Sequence, residues 1–132
     1  MREEIYSALT DEYNEIEMEQ IHASGAWYCY FLTNEENVVL GLVEISSRNI
    51  VDGCLSSPVA YLEGLYLKPP YRGKGVGKGA IRLIMEWCRD RGFSELATDT
   101  ELANVKAQSF YNSVGFQETD RVVEYRIEVN KT

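Results

Sequence analysis

The segment YLEGLYLKPPYRGKGVGKGAIRLIMEWC, residues 61–88, places the strongest constraint on the fold. Its beginning belongs to an apolar run, Val59–Leu67, which is typical of a buried strand and is followed by Pro-Pro. Four glycines then alternate with other residues over 73–79, and apolar residues recur at helical spacing to about Arg91. A strand, a glycine-rich loop and an amphipathic helix in direct succession predict an α/β domain.

The glycine loop has the composition of an anion-binding site. Glycines let several backbone N–H groups face one anion, and the helix that begins near Gly77 directs its positive dipole end towards the same place. Arg72, Lys74 and Lys78 add positive charge. A purely structural turn does not need four glycines so close to a helix start, because glycine destabilises helices.

Three phosphate-binding patterns compete for this loop. The P-loop pattern fails, since Arg72 and Gly79 stand where it needs glycine and Ser or Thr. The dinucleotide pattern G-x-G-x-x-A matches residues 75–80, but the segment 69–72 separates the strand from the glycines, and few elements follow to complete such a sheet. The pattern R-x-x-G-x-G, residues 72–77, fits without a conflict.

The remaining chain predicts a mixed sheet with an antiparallel front and parallel crossovers. Residues 1–9 and 11–21 are predicted to be helical, and the latter helix turns Tyr13, Ile16, Gln20 and Ile21 inward. Further predictions are a hairpin of strands 26–32 and 38–46, a short strand 94–99, a helix 104–114 and a last strand 120–129. Gly64, inside the buried strand, predicts a bulge or a close backbone approach.

Composition narrows the function. The 132 residues fit a single domain, 1–132, and a net charge of −8 disfavours nucleic acid as a partner. No stretch is long enough to span a membrane, and no signal peptide is expected. Cys29, Cys54 and Cys88 are interpreted as reduced thiols of a cytoplasmic protein. With His22 as the single histidine, no metal site is expected, and a Cys54–His22 nucleophile pair is a remote alternative.

RGKGVG after an apolar strand, followed by NVKAQSFYNSVGF, resembles the GNAT superfamily of N-acetyltransferases. The resemblance implies the GNAT fold, a mixed sheet flanked by helices, with acetyl-coenzyme A as co-substrate. It also implies that Asn104 bonds the coenzyme's arm and that Tyr111 lies beside the thioester sulfur. The other residues that it implies for coenzyme binding are Leu65, Tyr66, Leu67, Arg72, Gly73, Lys74, Gly75, Val76, Gly77 and Lys78.

A narrower resemblance runs from about residue 52 to 126. DGCLSSPVAYLEGLYL, ATDTELANVKAQ and GFQETDRVVEYR are similar to the aminoglycoside 6'-N-acetyltransferases, which implies an antibiotic-resistance enzyme and a homodimer. It implies that Glu63, Asp99 and Asp120 line the antibiotic site, with Tyr6 at an aromatic position. The chain departs from this branch in two ways. It begins inside the first helix, so the first strand is expected to be lacking, and the loop 48–51 lacks an expected tyrosine.

The chemistry of acetyl transfer assigns roles to these residues. An amine attacks a thioester only when it is unprotonated, so the site must bind an ammonium group and take its proton. Asp99 is predicted to do so, directly or through a water, with Glu63 as a possible partner. Tyr111 is predicted to protonate the leaving thiolate, and the N–H of Leu65 or a neighbour to hold the oxyanion. The plainer interpretations are a turn aspartate at Asp99 and a core aromatic at Tyr111.

Two other functions are compatible with the same sequence features. One is acetylation of a different polyamine or of a protein amine, because an acidic site suits any cation. The other is a protein that binds acetyl-coenzyme A without turnover.

Overall fold

The computed structural model describes residues 16–131. Several sequence predictions concern residues outside this range. They are the helix 1–9, the first part of the helix 11–21, the role of Tyr6 and the expected lack of a first strand. The described elements are β1 Glu17–Ser24, β2 Trp27–Thr33, β3 Val39–Arg48, β4 Val59–Leu67, α1 Val76–Asp90, β5 Leu96–Thr98 and α2 Val105–Ser113. Short 3-10 turns cover Pro69–Tyr71 and Val129–Lys131. No helix in the described part of the chain is long and apolar enough to cross a membrane.

The described residues divide into two compact units, one up to Asp99 and one from Thr100 onward. In the first unit, β1 to β5 form one sheet in sequence order. The strands β1 to β4 pair antiparallel, whereas β4 and β5 pair parallel. A parallel pair requires a crossover, and α1 provides it between β4 and β5. The predicted mixed α/β sheet is therefore confirmed, while the prediction of a single domain over 1–132 stays a prediction.

The core of the first unit lies between α1 and one face of the sheet. Trp87 of α1 makes edge-on ring contacts with Tyr28 and Tyr30 of β2, with centroids 5.3 Å and 6.1 Å apart. Fully buried apolar side chains fill this layer: Leu32, Val43, Ile45, Leu62 and Ile84. Each such side chain stabilises the fold by about 1.5–3 kcal/mol relative to an exposed position.

Two sequence predictions are wrong. Residues 17–21 are not helical but belong to β1, which pairs with β2 through a turn at Gly25, where φ is +57°. The helical spacing of Ile16 and Gln20 was outweighed because the hairpin satisfies the backbone N–H and C=O groups. Residues 120–129 form no strand in the structure. Alternating apolar residues indicate only a tendency, since a strand also needs a neighbour to complete its hydrogen-bond ladder.

Candidate active site

The glycine loop connects β4 to α1 through a backbone that requires glycine. After the 3-10 turn Pro69–Tyr71, Gly73 and Gly75 adopt φ values of +72° and +85°. This left-handed region is strained for residues that carry a Cβ atom. A Cβ atom added at Gly73 would meet nothing within 4 Å, so the backbone conformation, rather than lack of space, explains glycine there.

The start of α1 leaves backbone donors available for an anion. Gly75 is the N-cap residue and offers no side-chain cap, and the first turn contains no acidic residue. Gly79 donates its backbone N–H to the Gly75 carbonyl oxygen at 3.1 Å. The N–H groups of Val76, Gly77 and Lys78 precede that bond and have no acceptor within the helix. This arrangement fits a pyrophosphate group, as the sequence predicts.

The three cations of the loop have different environments. Arg72 donates its Nε–H to the Leu67 carbonyl oxygen at 2.9 Å, and its guanidinium lies 5.3 Å from the centroid of the Tyr66 ring. Arg72 therefore fastens the loop to the end of β4. Lys74 and Lys78 are exposed. Contact of all three with the coenzyme stays a prediction.

The strand β4 bulges at Glu63. Glu44 of β3 pairs with Gly64 and Ile45 pairs with Leu62, so Glu63 is the extra residue between them. The bulge that glycine inside this strand predicted is confirmed. Pairing of β4 with β5 ends at Leu62, opposite Thr98. Among the described residues, the positions 65–67, which the sequence predicts to contact the coenzyme, therefore lack a β5 partner. Apart from the Leu67 carbonyl oxygen, which Arg72 bonds, this edge of β4 is left for an extended ligand.

Asp99 follows β5 directly and is linked to β4 by a short hydrogen bond. The hydroxyl of Tyr61 donates to Asp99 Oδ2 at 2.5 Å. Tyr61 is buried, and this burial, reinforced by the Asp99 carboxylate, raises the pKa of the phenol above its ordinary value. The hydroxyl therefore stays protonated and remains a donor to Asp99 at neutral pH.

Glu63 accepts hydrogen bonds from two residues of β3. Ser46 Oγ donates to Glu63 Oε2 at 2.5 Å. Arg48 donates its Nε–H to the same oxygen at 3.1 Å and reaches Oε2 and Oε1 with one terminal nitrogen at 2.8 Å and 3.0 Å. The cost of placing a carboxylate in an apolar strand is offset by these donors.

Arg48 connects the two carboxylates into one polar network. Its guanidinium carbon lies 3.5 Å from the centroid of the Tyr61 ring, and Tyr61 in turn bonds Asp99. The sequence reasoning missed Ser46, Arg48 and Tyr61. A usable signal existed for Tyr61, because residues two apart in a strand share a face and Tyr61 stands two positions before Glu63.

An open cleft of about 360 Å³ lies beside this network. Its lining residues are Ala26, Trp27, Ser46, Ser47, Arg48 and Glu63. The indole N–H of Trp27 donates to Glu44 Oε2 at 3.1 Å, which holds the half-exposed ring in place. The cleft combines an aromatic wall with an ion pair, a combination suited to a ligand with both polar groups and a carbon ring.

The second unit contains the three other predicted site residues that the structure describes. Asn104 caps α2, because its side-chain oxygen accepts the N–H of Ala107 at 3.0 Å. Tyr111 makes edge-on ring contacts with Phe110 and Phe116. Asp120 accepts the backbone N–H of Arg121 through Oδ1 at 2.7 Å. Their predicted roles towards coenzyme and substrate stay predictions.

The cysteines are free thiols. Burial, together with the nearby Glu95 carboxylate, raises the pKa of Cys54, which disfavours a thiolate nucleophile at this position. Burial likewise raises the pKa of Cys88 to about 11. Within residues 16–131, no group of three or more His, Cys, Asp or Glu side chains is placed to hold a metal ion.

The profile of the acetyltransferase (GNAT) family matches residues 2–116. With the bulged strand, the glycine loop and the helix start already described, the match shows that this chain belongs to that family.

Similarity within the family is to one group of enzymes. The chain is 35% identical over 127 residues to the aminoglycoside N(6')-acetyltransferase type 1 of Serratia marcescens, covering 96% of this chain and 87% of the relative. Identity to the enzyme of that name from Stenotrophomonas maltophilia is 36%, covering 89% and 76%. The crystal structure of AAC(6')-Iy with the bisubstrate analogue CoA-S-monomethyl-acetylneamine is 34% identical, with a TM-score of 0.72, covering 80% and 71%. The resemblance to this branch is confirmed.

Proposed function

We propose that this protein transfers the acetyl group of acetyl-coenzyme A to the 6'-amine of aminoglycoside antibiotics. The observation that carries the proposal is the network that holds Glu63 and Asp99 on one face of the sheet, beside the bulge of β4. Two carboxylates on one surface suit a substrate that carries several ammonium groups. The names of the similar enzymes support the same substrate class.

The glycine loop would hold the coenzyme. Backbone N–H groups at the start of α1 would bind the pyrophosphate, with positive charge from Lys74 and Lys78. The open edge of β4 over 65–67 would accept the extended arm, and an N–H there, at Leu65 or a neighbour, would hold the oxyanion. By the family resemblance, Asn104 would bond the coenzyme's arm.

The proposed reaction is direct attack by the amine on the thioester carbonyl carbon. Asp99 would take the proton that the attacking nitrogen releases, directly or through a water, while Glu63 would bind an ammonium group of the substrate. The carbon–sulfur bond then breaks, and Tyr111 would donate its proton to the departing thiolate. Tyr6 and Asp120 would complete the substrate surface. No covalent bond to the protein forms in this sequence.

Three further properties belong to the proposal. A homodimer is supported by the resemblance and by the open edge that β1 gives the described sheet. Light scattering on a sizing column tests it, and a mass of one chain would contradict it.

A cytoplasmic location is supported by the three free thiols. Antibiotic resistance would follow from acetylation, and expression in a susceptible bacterium should raise the inhibitory concentration of tobramycin.

Release of coenzyme A thiol, followed with a thiol-reactive dye, tests the reaction. Tobramycin and kanamycin, which carry a 6'-amine, should accelerate release, whereas an analogue with a 6'-hydroxyl should not. Release with another polyamine or a protein amine alone would point to a different substrate. Coenzyme binding without release with any amine would point to a protein that senses acetyl-coenzyme A.

A further inference from the structure

The cleft contains an ion pair, whereas a site that binds cationic substrates would be expected to present a free carboxylate. Glu63 is the acidic residue among its lining side chains, and Arg48 lies beside it. We propose that Arg48 is a specificity-determining residue, because its guanidinium occupies the place at Glu63 that a substrate ammonium group takes during binding. The inference rests on the proposed function, since it assumes a cationic substrate.

The bonding capacity of Glu63 shows why the two cations compete. Oε2 accepts from Ser46 Oγ and from two nitrogens of Arg48, whereas Oε1 accepts from one of those nitrogens. Each carboxylate oxygen offers about two lone-pair sites. The three bonds to Oε2 use its sites fully, whereas Oε1 keeps one site beside the guanidinium. A substrate ammonium group can therefore bond Glu63 fully only when Arg48 releases it.

Exposure makes this exchange possible. The Arg48 side chain is 43% exposed, whereas that of Glu63 is 16% exposed. The guanidinium can return to water at small cost, because a partly exposed ion pair contributes little net free energy. Glu63 is more buried, so loss of Arg48 without a replacement cation would leave its charge unpaired. An ammonium group can therefore replace Arg48 at Glu63, whereas a neutral hydroxyl group cannot, because it leaves the carboxylate charge unpaired.

The exchange also favours polycations over monoamines. Displacing Arg48 reduces the net gain from the first ammonium group. A substrate with further ammonium groups recovers that loss at other points of a protein whose net charge is −8. Arg48 would thus discriminate by the number of charges on the amine.

Replacing Arg48 by glutamine separates this role from one in which Arg48 merely orients Glu63. Competition predicts that R48Q lowers the KM for tobramycin about two- to fivefold, the range that a partly exposed ion pair supports. The advantage of tobramycin over a monoamine should shrink. Arg89→Gln is the matched control, because Arg89 is exposed in the last turn of α1 and the variant changes the net charge equally. A KM that is unchanged or raised in R48Q overturns the inference.

A double variant locates the effect at Glu63. If Arg48 acts through this carboxylate, R48Q should leave the KM unchanged when it is added to E63Q. An equal decrease of KM in both backgrounds would show a general charge effect and would overturn the inference.

A binding measurement keeps the inference independent of turnover. The Nε–H resonance of Arg48 can be assigned by its loss in R48Q, and tobramycin or spermine should shift or broaden it as Glu63 is taken over. If no aminoglycoside is acetylated, the proposed function fails, but the spermine titration still decides the exchange. A bound polyamine that leaves the Arg48 resonance unchanged overturns it, and a shift supports it.

Discussion

The glycine loop and the carboxylate network of Glu63 and Asp99 are built in opposite ways. The loop is a continuous stretch of chain whose groups for the ligand are mainly backbone N–H donors at the start of α1. The network joins side chains of β3 and β4 with the residue that follows β5, and its members Arg48 and Asp99 are 51 positions apart in the chain. A site made from backbone depends on local conformation, whereas one made from side chains depends on the register of the sheet.

The difference extends to how a substitution should act. In the network, the ionisable side chains carry the chemistry, so an isosteric change can remove function and leave the fold intact. In the loop, glycine is required by φ at Gly73 and Gly75, so a substitution at either position that affects the coenzyme also strains the backbone.

Asp99→Asn should produce the largest effect. The amide keeps the shape of the side chain but cannot take the proton of the amine at neutral pH, so turnover should fall well over tenfold, more than about 1.4 kcal/mol in the barrier. Coenzyme affinity should stay nearly unchanged, because the loop is untouched. Thiol release and calorimetric titration with coenzyme A measure the two quantities.

The exposed Asp90, at the end of α1, supplies the control for this variant. Asp90→Asn should retain the activity of the parent protein. Normal turnover in Asp99→Asn would remove Asp99 from the mechanism and would leave Glu63 or water as the proton acceptor.

Gly73→Ala should produce the second-largest effect, and this variant acts on the glycine loop rather than on the carboxylate network. At φ +72° an alanine is strained by about 1–2 kcal/mol, so the loop should relax and present its N–H groups less accurately. We expect the Kd for coenzyme A to rise about five- to tenfold, the scale of the loss of one ordinary hydrogen bond. Calorimetric titration and thermal unfolding measure binding and stability on the same sample.

Gly92→Ala is a matched control for strain. Gly92 follows α1 at φ +81°, and an added Cβ atom there also meets nothing within 4 Å. The two variants should lose similar stability, but only Gly73→Ala should weaken coenzyme binding. Equal Kd values in both would show that the conformation of Gly73 does not serve the ligand.

The same contrast explains what could be predicted from the sequence. The strand Val59–Leu67 and the helix after the loop are encoded by local apolar patterns, and the structure has them within one or two residues of the prediction. β1 was mistaken for a helix, because its conformation is decided by pairing with β2 rather than by its own residues. Pairing with a distant strand thus makes residues 17–24 a strand, and residues 120–129, which pair with no strand in the structure, do not form one.

The candidate site follows the same division. Glu63 and Asp99 were predicted from the resemblance to the aminoglycoside 6'-N-acetyltransferases, and Asp99 also from its place at the end of a short predicted strand. Their partners Arg48 and Tyr61 were not predicted, because register and bulge together bring these side chains into contact. A bulge can be expected near a strand glycine, but its exact position depends on the neighbouring strand.

Tyr61→Phe should produce the smallest effect and sharpens the comparison within the network. The variant keeps the ring beneath Arg48 and removes only the hydroxyl that donates to Asp99. Asp99 is exposed and can bond water instead, so turnover should fall only about threefold, the scale of a neutral exchange of hydrogen bonds. Tyr28→Phe makes the same chemical change on the α1 face and should leave turnover unchanged.

Stability at high pH gives a second measure of the same hydroxyl. Burial raises the pKa of Tyr61 in the folded protein, so above about pH 10 the unfolded chain loses this proton while the folded protein retains it. The contribution of Tyr61 to stability is therefore complete below pH 10 and declines as pH rises towards the folded pKa. Chemical unfolding between pH 8 and about 11 should show a smaller decline in Tyr61→Phe than in the parent protein. Equal declines would mean that Tyr61 is not held as a protonated donor, and Asp99 would then depend on water alone for its orientation.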